Sequence, residues 1–529
     1  MAGFTSDKIP FIDLEELPDN DNVEEVKQNE TSLANNKIDH KQFNESNIDE
    51  NVSNSTFSVE EAIEAVGFGK FQLKILAMVG FAWSADSLEM ALLAILAPAI
   101  RCEWNLTHWH EAFLTTIVFV GMFVATYFWG FVSDNFGRRK AIILASLGIF
   151  SFGMSSSFSV SYVMMITFRG LVGTSMGGVV QGTTLLVEFL PRKTRGLTVN
   201  LSSMFWSFGT SVEILLAMFI MPRYGWRVLL FISAWPCLIF VLLTLIVKYP
   251  PESARFLMAK GRPDEALKIL SKAAANNKKK LPEGTLKEPE QIKSCRHGSI
   301  LAMFRKGYWK LTILLWIIWF SSHFNIYGLA LLTTALFSGN NKCYGGDNPN
   351  QLKDGCKALT SEDYLHFFYV LAADFPAVII TACLADTVGR KWLQAVGFFG
   401  MSLFFMLLFI CTGSRAWTTV FLFGGRCFIA VADIGGYIYT PEVYPTEIRG
   451  TALGSCSGIS RVGCMLTPFI AQVLSHRAVS WTLSIYIFFG IVGAICSLLL
   501  PIETKGRGLE EINIELRDLH KTPQITNTS

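Results

Sequence analysis

The chain has 529 residues, of which 51% are apolar and only 17% charged. With its positive mean hydropathy this excludes an ordinary soluble domain and points to a membrane-embedded protein. The formal net charge of +2 hides an asymmetry, because residues 1–70 hold 16 Asp/Glu against 5 Lys/Arg and leave a basic remainder.

In chain order, residues 1–55 are rich in Asn, Asp, Glu and Ser with few aromatics, a composition that cannot bury enough surface to fold. They read as the greater part of an acidic cytosolic tail, 1–70, which ends in the amphipathic stretch VEEAIEAVGFGKFQ. Nothing at the start resembles a cleavable signal, so the first apolar run is expected to act as an uncleaved anchor. Runs of about 20 apolar residues suffice to span a bilayer, and twelve are found. Six lie near 72–97, 112–133, 141–159, 162–186, 198–221 and 227–248, and six near 310–337, 364–384, 392–412, 417–440, 450–474 and 480–501. The expected organisation is an all-α membrane protein with six-helix bundles at 71–249 and 310–502, a cytosolic connection at 250–309 and a cytosolic tail at 503–529. Within the connection a surface helix is expected from about Ser253 to Ala274.

The halves repeat. GFVSDNFGRRK, from Gly130 to Lys140, returns as ACLADTVGRKW from Ala382 to Trp392. Asp134, Arg169, Glu188 and Glu252 recur as Asp386, Arg426, Glu442 and Glu503, in order and at offsets of 251 to 257 residues. Ordered matches at a near-constant offset mark an internal duplication, and parallel six-span repeats are the layout of major facilitator transporters. In the motif, Gly130 is expected to let helices approach, Gly137 to permit a sharp turn, and Asp134 to pair with Arg138, Arg139 or Lys140 or to cap a helix. The second copy supplies Asp386, Gly389 and Arg390. Glu188 and Arg195 flank Pro191 as Glu442 and Arg449 flank Pro445, a repeat that reads as salt bridges remade during rocking of the halves. Together these residues read as a gating latch. Basic residues in the loops after even-numbered spans place those loops and both termini in the cytosol.

Charges inside the spans are costly and so become candidate substrate or coupling residues. Asp86 and Glu89 share a helix face at mid-span; they form either a cation or proton site or a structural contact, with Arg169 a natural partner. Glu213, Asp374, Asp433, Arg426 and Arg461 carry the same argument, and His323 lines the same region in WIIWFSSHFNIYGLALLTT. Arg426 and Asp433 lie about 10 Å apart along one helix. Glycines at 173, 177, 178 and 182 form small-residue faces for close helix packing. Cys343 and Cys356, between spans seven and eight, are either disulfide-bonded or free thiols. No GxGxxG after a strand, Walker pattern, HExxH or CxxC spacing is present, so neither an enzyme, a cofactor nor a metal is expected.

A longer set of stretches resembles one branch of the major facilitator superfamily, the synaptic vesicle two-related branch, near the organic ion transporters and synaptic vesicle glycoproteins. The stretches include EFLPRKTR, GTSVEILLAMFIMPRYGWR, PPESAR, YTPEVYPTEIRG, CSGISRVGCMLTPFIAQV and PIETKGRGL, and reach from Val59 to Leu509. The resemblance implies a twelve-helix transporter of synaptic or secretory vesicle membranes; a monomeric state, a small-molecule substrate, the lipid bilayer as environment and no nucleic-acid partner are expected beside it. The resemblance also implies adenine-nucleotide binding, without assigning residues. Ala382 replaces the usual motif glycine, and Asp433 is atypical for span ten. The functional expectation is alternating-access secondary transport of a small organic solute, such as an organic ion, coupled to protons or cations. The alternatives are a non-transporting vesicle binding or trafficking protein on the same fold, and an uncoupled uniporter.

Overall fold

The computed structural model describes residues 56–287, 303–304, 308–338, 342–344 and 359–505. Strands β1 (Thr56–Phe57) and β2 (Thr285–Leu286) pair in parallel in a small unit of their own. The membrane body is helical throughout. A short α1 (Val59–Val66) starts at a capping box, where Ser58 and Glu61 satisfy each other's backbone N–H groups.

The first half comprises α2 (Lys70–Glu103), α3 (His108–Phe136), α4 (Arg138–Ser157), α5 (Tyr162–Met176), α6 (Gln181–Val187) and α7 (Arg192–Val247). α8 (Ala254–Ala259) and α9 (Pro263–Asn277) follow, so the expected surface helix is two helices, broken at Gly261 with φ of 69°. The second half comprises α10 (Trp309–Ser338), α11 (Ser361–Ala372), α12 (Asp374–Leu384), α13 (Arg390–Leu407), α14 (Arg415–Val443), α15 (Thr446–Pro468), α16 (Ser475–Arg477) and α17 (Val479–Leu498). A π-helical turn at Phe469–Leu474 joins α15 to α16.

Among the described residues, nine helical segments are long and apolar enough to cross a membrane. One of them, α7, holds two expected spans folded back at Gly225, whose φ of 74° and ψ of −178° leave the helix. The remaining two expected spans, α13 and α15, carry more polar and charged residues, among them Arg390 and Lys391 in α13 and Arg449 and Arg461 in α15. The twelve expected runs each coincide with helix. Apolar side chains stand exposed on the outside, among them Tyr127 at 77%, Ile246 at 76% and Trp481 at 68%, as a lipid-facing surface requires.

Small residues set the close crossings. A Cβ on Gly173 would strike the Val118 carbonyl, and one on Gly121 the Gly170 carbonyl, so α3 and α5 meet backbone to backbone. In the second half α13 and α14 do the same, with Gly397 against the Phe428 carbonyl. Span four is not one continuous helix: residues 177–180 form tight turns between α5 and α6, and the Trp129 indole donates to the Thr174 carbonyl at 2.6 Å. Gly130 has nothing within 4 Å of its Cβ position, so the expected close approach there is absent.

Candidate functional site

The helix ends holding Gly137 and Gly389 form one end of the membrane body, the latch end; His108 and Cys343 lie at the far end. Both glycines have φ of 103°, which lets α3 turn sharply into α4 and α12 into α13. In the first latch Arg138 lies 3.3 Å from Asp134 and 3.4 Å from Glu188. Glu252 accepts the backbone N–H groups of Arg138 and Arg139 at 2.9 and 3.2 Å, which caps the orphan donors at the start of α4. The second latch repeats this: Arg390 lies 2.8 Å from Asp386 and 3.2 Å from Glu442, and Glu503 accepts from the backbones of Arg390 and Lys391 at 2.8 and 3.0 Å. Glu252 and Glu503 were visible in the sequence as a repeated pair, in PPESAR and PIETKGR, but their capping role was not. Burial raises the Glu252 carboxyl above its ordinary range, against the backbone hydrogen bonds that favour its charged form.

Arg195 and Arg449 do not join these ion pairs. Each turns back to a carbonyl beside its proline, Leu190 at 3.2 Å and Tyr444 at 3.4 Å. The partner of Glu188 is therefore Arg138, because the motif arginine already occupies the carboxylate.

Midway along the spans, the structure brings most expected acids to a partner. Arg169 Nη1 meets Glu89 Oε2 at 2.8 Å, and both side chains have 0% exposure. Arg426 grips both Asp374 oxygens at 2.7 and 2.8 Å and donates to the Ile326 carbonyl at 2.6 Å. Glu213 accepts from Ser233 at 2.8 Å. Asp433 accepts from Ser322 at 2.5 Å and stands 3.3 Å from His323 Nδ1. The His323 ring stacks on Trp319, and its Nε2 lies 3.4 Å from the Tyr437 hydroxyl. Ile318, Trp319, Ser322, Asp433 and Gly436 line a small recess beside it. Ser233, Ser322, Trp319 and Tyr437 are thus part of the site, and no spacing in the sequence marks them, since each is an ordinary residue of an apolar helix.

Asp86 is the exception. It is 6% exposed, its Oδ1 is buried without a hydrogen-bond partner, and among the described residues it forms no ion pair. Arg461, across on α15, acts on it electrostatically and is itself held by the Met122 sulfur at 3.9 Å. The two stand on opposite halves.

The halves touch along α3 and α15 at the far end. Thr116 donates to the Met465 carbonyl at 3.2 Å, Thr115 contacts Gln472 at 3.4 Å, and His108 stacks on His476 at 3.8 Å. Towards the latch end, Cβ positions on Gly130, Gly450 and Gly454 meet nothing within 4 Å. Neither alternative for Cys343, a bond to Cys356 or a free thiol, holds: Cys343 is bonded to Cys411, just beyond the end of α13. Cys102 is also disulfide-bonded, and Cys356 lies outside the described residues.

Two repeated helical halves, duplicated latches and buried mid-membrane ion pairs define a multi-pass membrane protein of the major facilitator fold. A family model described as sugar (and other) transporter matches residues 91–516, and the chain belongs to that transporter family. It is 43% identical over 465 residues to the synaptic vesicle 2-related protein of Xenopus laevis, covering 87% of this chain and 84% of that one. It is 37% identical over 494 residues to organic cation/carnitine transporter 7 of Arabidopsis thaliana, covering 87% and 97%. The proton:xylose symporter XylE superposes with a TM-score of 0.63 at 19% identity, over 85% of this chain and 99% of that chain. The family and these relatives are transporters, not enzymes.

Proposed function

We propose that the protein is a secondary transporter that moves a small organic ion by alternating access, with Asp86 as the coupling or cation-binding carboxyl and Arg461 as the facing anion-binding group. The observation that carries this reading is the contrast at mid-membrane: Glu89, Glu213, Asp374 and Asp433 each have a hydrogen-bonded or ion-paired protein partner, although Glu89 Oε1 is unbonded like Asp86 Oδ1, whereas among the described residues Asp86 has neither hydrogen bond nor ion pair. A buried carboxyl without a partner is costly, and a proton or a substrate ammonium removes that cost. The opposite charges of Asp86 and Arg461 suit a zwitterion or an organic ion, and a relative named for organic cation and carnitine transport supports that class. The contacts of Thr116 with Met465 and of His108 with His476 support a state closed at the far end. In alternating access the far end must part when the opposite end closes.

His323 beside Asp433 forms a second candidate relay. Residence in a vesicle membrane and adenine-nucleotide binding, drawn from the resemblance, cytosolic termini, drawn from the loop charges, and a monomeric state are further parts of the proposal. The proposed bundles are 71–249 and 310–502, with cytosolic segments at 1–70, 250–309 and 503–529.

The test is a thermal-stabilisation panel on the purified full chain, with organic cations, anions, zwitterions, sugars and nucleotides at two pH values, followed by uptake into proteoliposomes. A ligand that binds only the folded form raises its stability. The expected result is a stabilising organic ion whose effect depends on pH and disappears in Asp86→Asn, with uptake lost but folding kept. Silence across the panel, or full coupled uptake by Asp86→Asn, rejects the assignment; silence favours a non-transporting vesicle protein.

A further inference from the structure

His108 and Glu111 sit in the first turn of α3, and His476 sits in α16 just beyond the π-helical turn; one ligand atom from each lies within 4.8 Å of the others. His108 Nδ1 is 3.4 Å from Glu111 Oε2, and the two imidazoles stack with centroids 3.8 Å apart. Glu111 is only 3% exposed, and both its Oε2 and His108 Nδ1 are buried without a hydrogen bond. The one strong partner is Arg101, whose Nε lies 2.9 Å from that same Oε2. Two imidazoles and a carboxylate thus converge from opposite halves of the chain, with their polar atoms under-satisfied.

We infer that His108, Glu111 and His476 form a binding site for one divalent transition-metal ion, of the zinc type, that joins the two halves at the far end. The donor set decides the metal class. Two imidazole nitrogens with one carboxylate suit zinc, copper or nickel, whereas calcium and magnesium seek all-oxygen shells. Tetrahedral ligands held ~2.1 Å from zinc stand ~3.4 Å apart, so side-chain rotation that closes the present spacing of up to 4.8 Å by about 1.4 Å is enough. The exposed His476 gives an ion access from solvent. Arg101 occupies the carboxylate in the metal's absence, as a competing cation. Because ligands come from both halves, the ion binds only while the far end is closed, and it holds that state by mass action. The site itself does not depend on the proposed substrate or on Asp86.

The test is isothermal titration of the tag-free, purified full chain with zinc chloride alone, repeated with cobalt(II) to read nitrogen and oxygen ligation by its absorption spectrum. The expected result is saturable 1:1 binding, a higher melting temperature with zinc, and at least a tenfold loss of affinity in both His108→Ala and His476→Ala. Arg101→Gln is expected to tighten binding by removing the competitor. His476 is exposed, so His476→Gln keeps the fold and gives a valid result even if His108→Ala does not fold. Absence of saturable binding, a cobalt spectrum dominated by thiolate, or unchanged affinity in the His476 variants overturns the site.

Discussion

Arg169 meets Glu89 through a single contact, Nη1 to Oε2 at 2.8 Å, with neither side chain exposed. Removing one member of such a pair leaves the other charged and unpaired, at a cost of about 3–5 kcal/mol. Glu89→Ala is therefore expected to lower the melting temperature strongly in detergent, and the double variant Glu89→Leu with Arg169→Met to recover most of the loss. A Glu89→Ala protein as stable as the parent would show that the pair is not what satisfies Arg169.

The latches make a contrast that the same melting assay reads. A Cβ on Gly389 would come within 2.7 Å of the Glu503 carboxyl at a φ of 103°, whereas Gly130 faces open space. Backbone strain of this kind costs about 1–3 kcal/mol. Gly389→Ala is expected to destabilise by that amount and Gly130→Ala to be neutral, although both glycines belong to copies of one motif. Equal effects would reject the assignment of Gly389 as the turn that Glu503 closes.

At the crossing of α3 and α5, a Cβ on Gly173 would strike the Val118 carbonyl, while one on Gly170 would meet only the Ile117 side chain, Cγ1 at 3.2 Å. A side chain can rotate away and a carbonyl in a helix cannot. Gly173→Ala is expected to cost more stability than Gly170→Ala, by about 1–3 kcal/mol for overpacking. The ratio of correctly folded protein after membrane extraction, read by size-exclusion fluorescence, gives the order.

The Cys343–Cys411 bridge closes a segment with a sequence separation of 68. Loss of a native disulfide of this kind costs roughly 2–5 kcal/mol. Cys343→Ser and Cys411→Ser should destabilise equally and non-additively, with differential alkylation and mass spectrometry revealing one newly free thiol in each single variant. A protected Cys411 in the Cys343→Ser protein would mean that the pairing differs.

The fold was largely legible. Long apolar runs separated by charged turns report spans directly, since a helix in lipid must satisfy its backbone within itself, and the Asp134 and Asp386 motifs fixed the repeat. The break of span four at residues 177–180 was less visible, because the same glycines serve equally for close packing or for a turn; Trp129, 45 residues away, takes the freed carbonyl. The pairing of Arg169 with an acid of span one is legible in the sequence, because a buried arginine needs an acid and span one offers two. Which of the two it takes is not.

The sequence by itself determined the twelve runs, the duplication, the latch motifs and the set of charged residues placed in the membrane, because each depends on local hydropathy or spacing along the chain. Only the tertiary structure decided the pairings: Glu188 with Arg138, Asp374 with Arg426, Cys343 with Cys411, His108 and Glu111 with His476, and Asp86 with no ion pair among the described residues. Those choices turn on ångström distances between side chains of different helices, which are set by how closely glycine faces such as Gly173 let the helices pack.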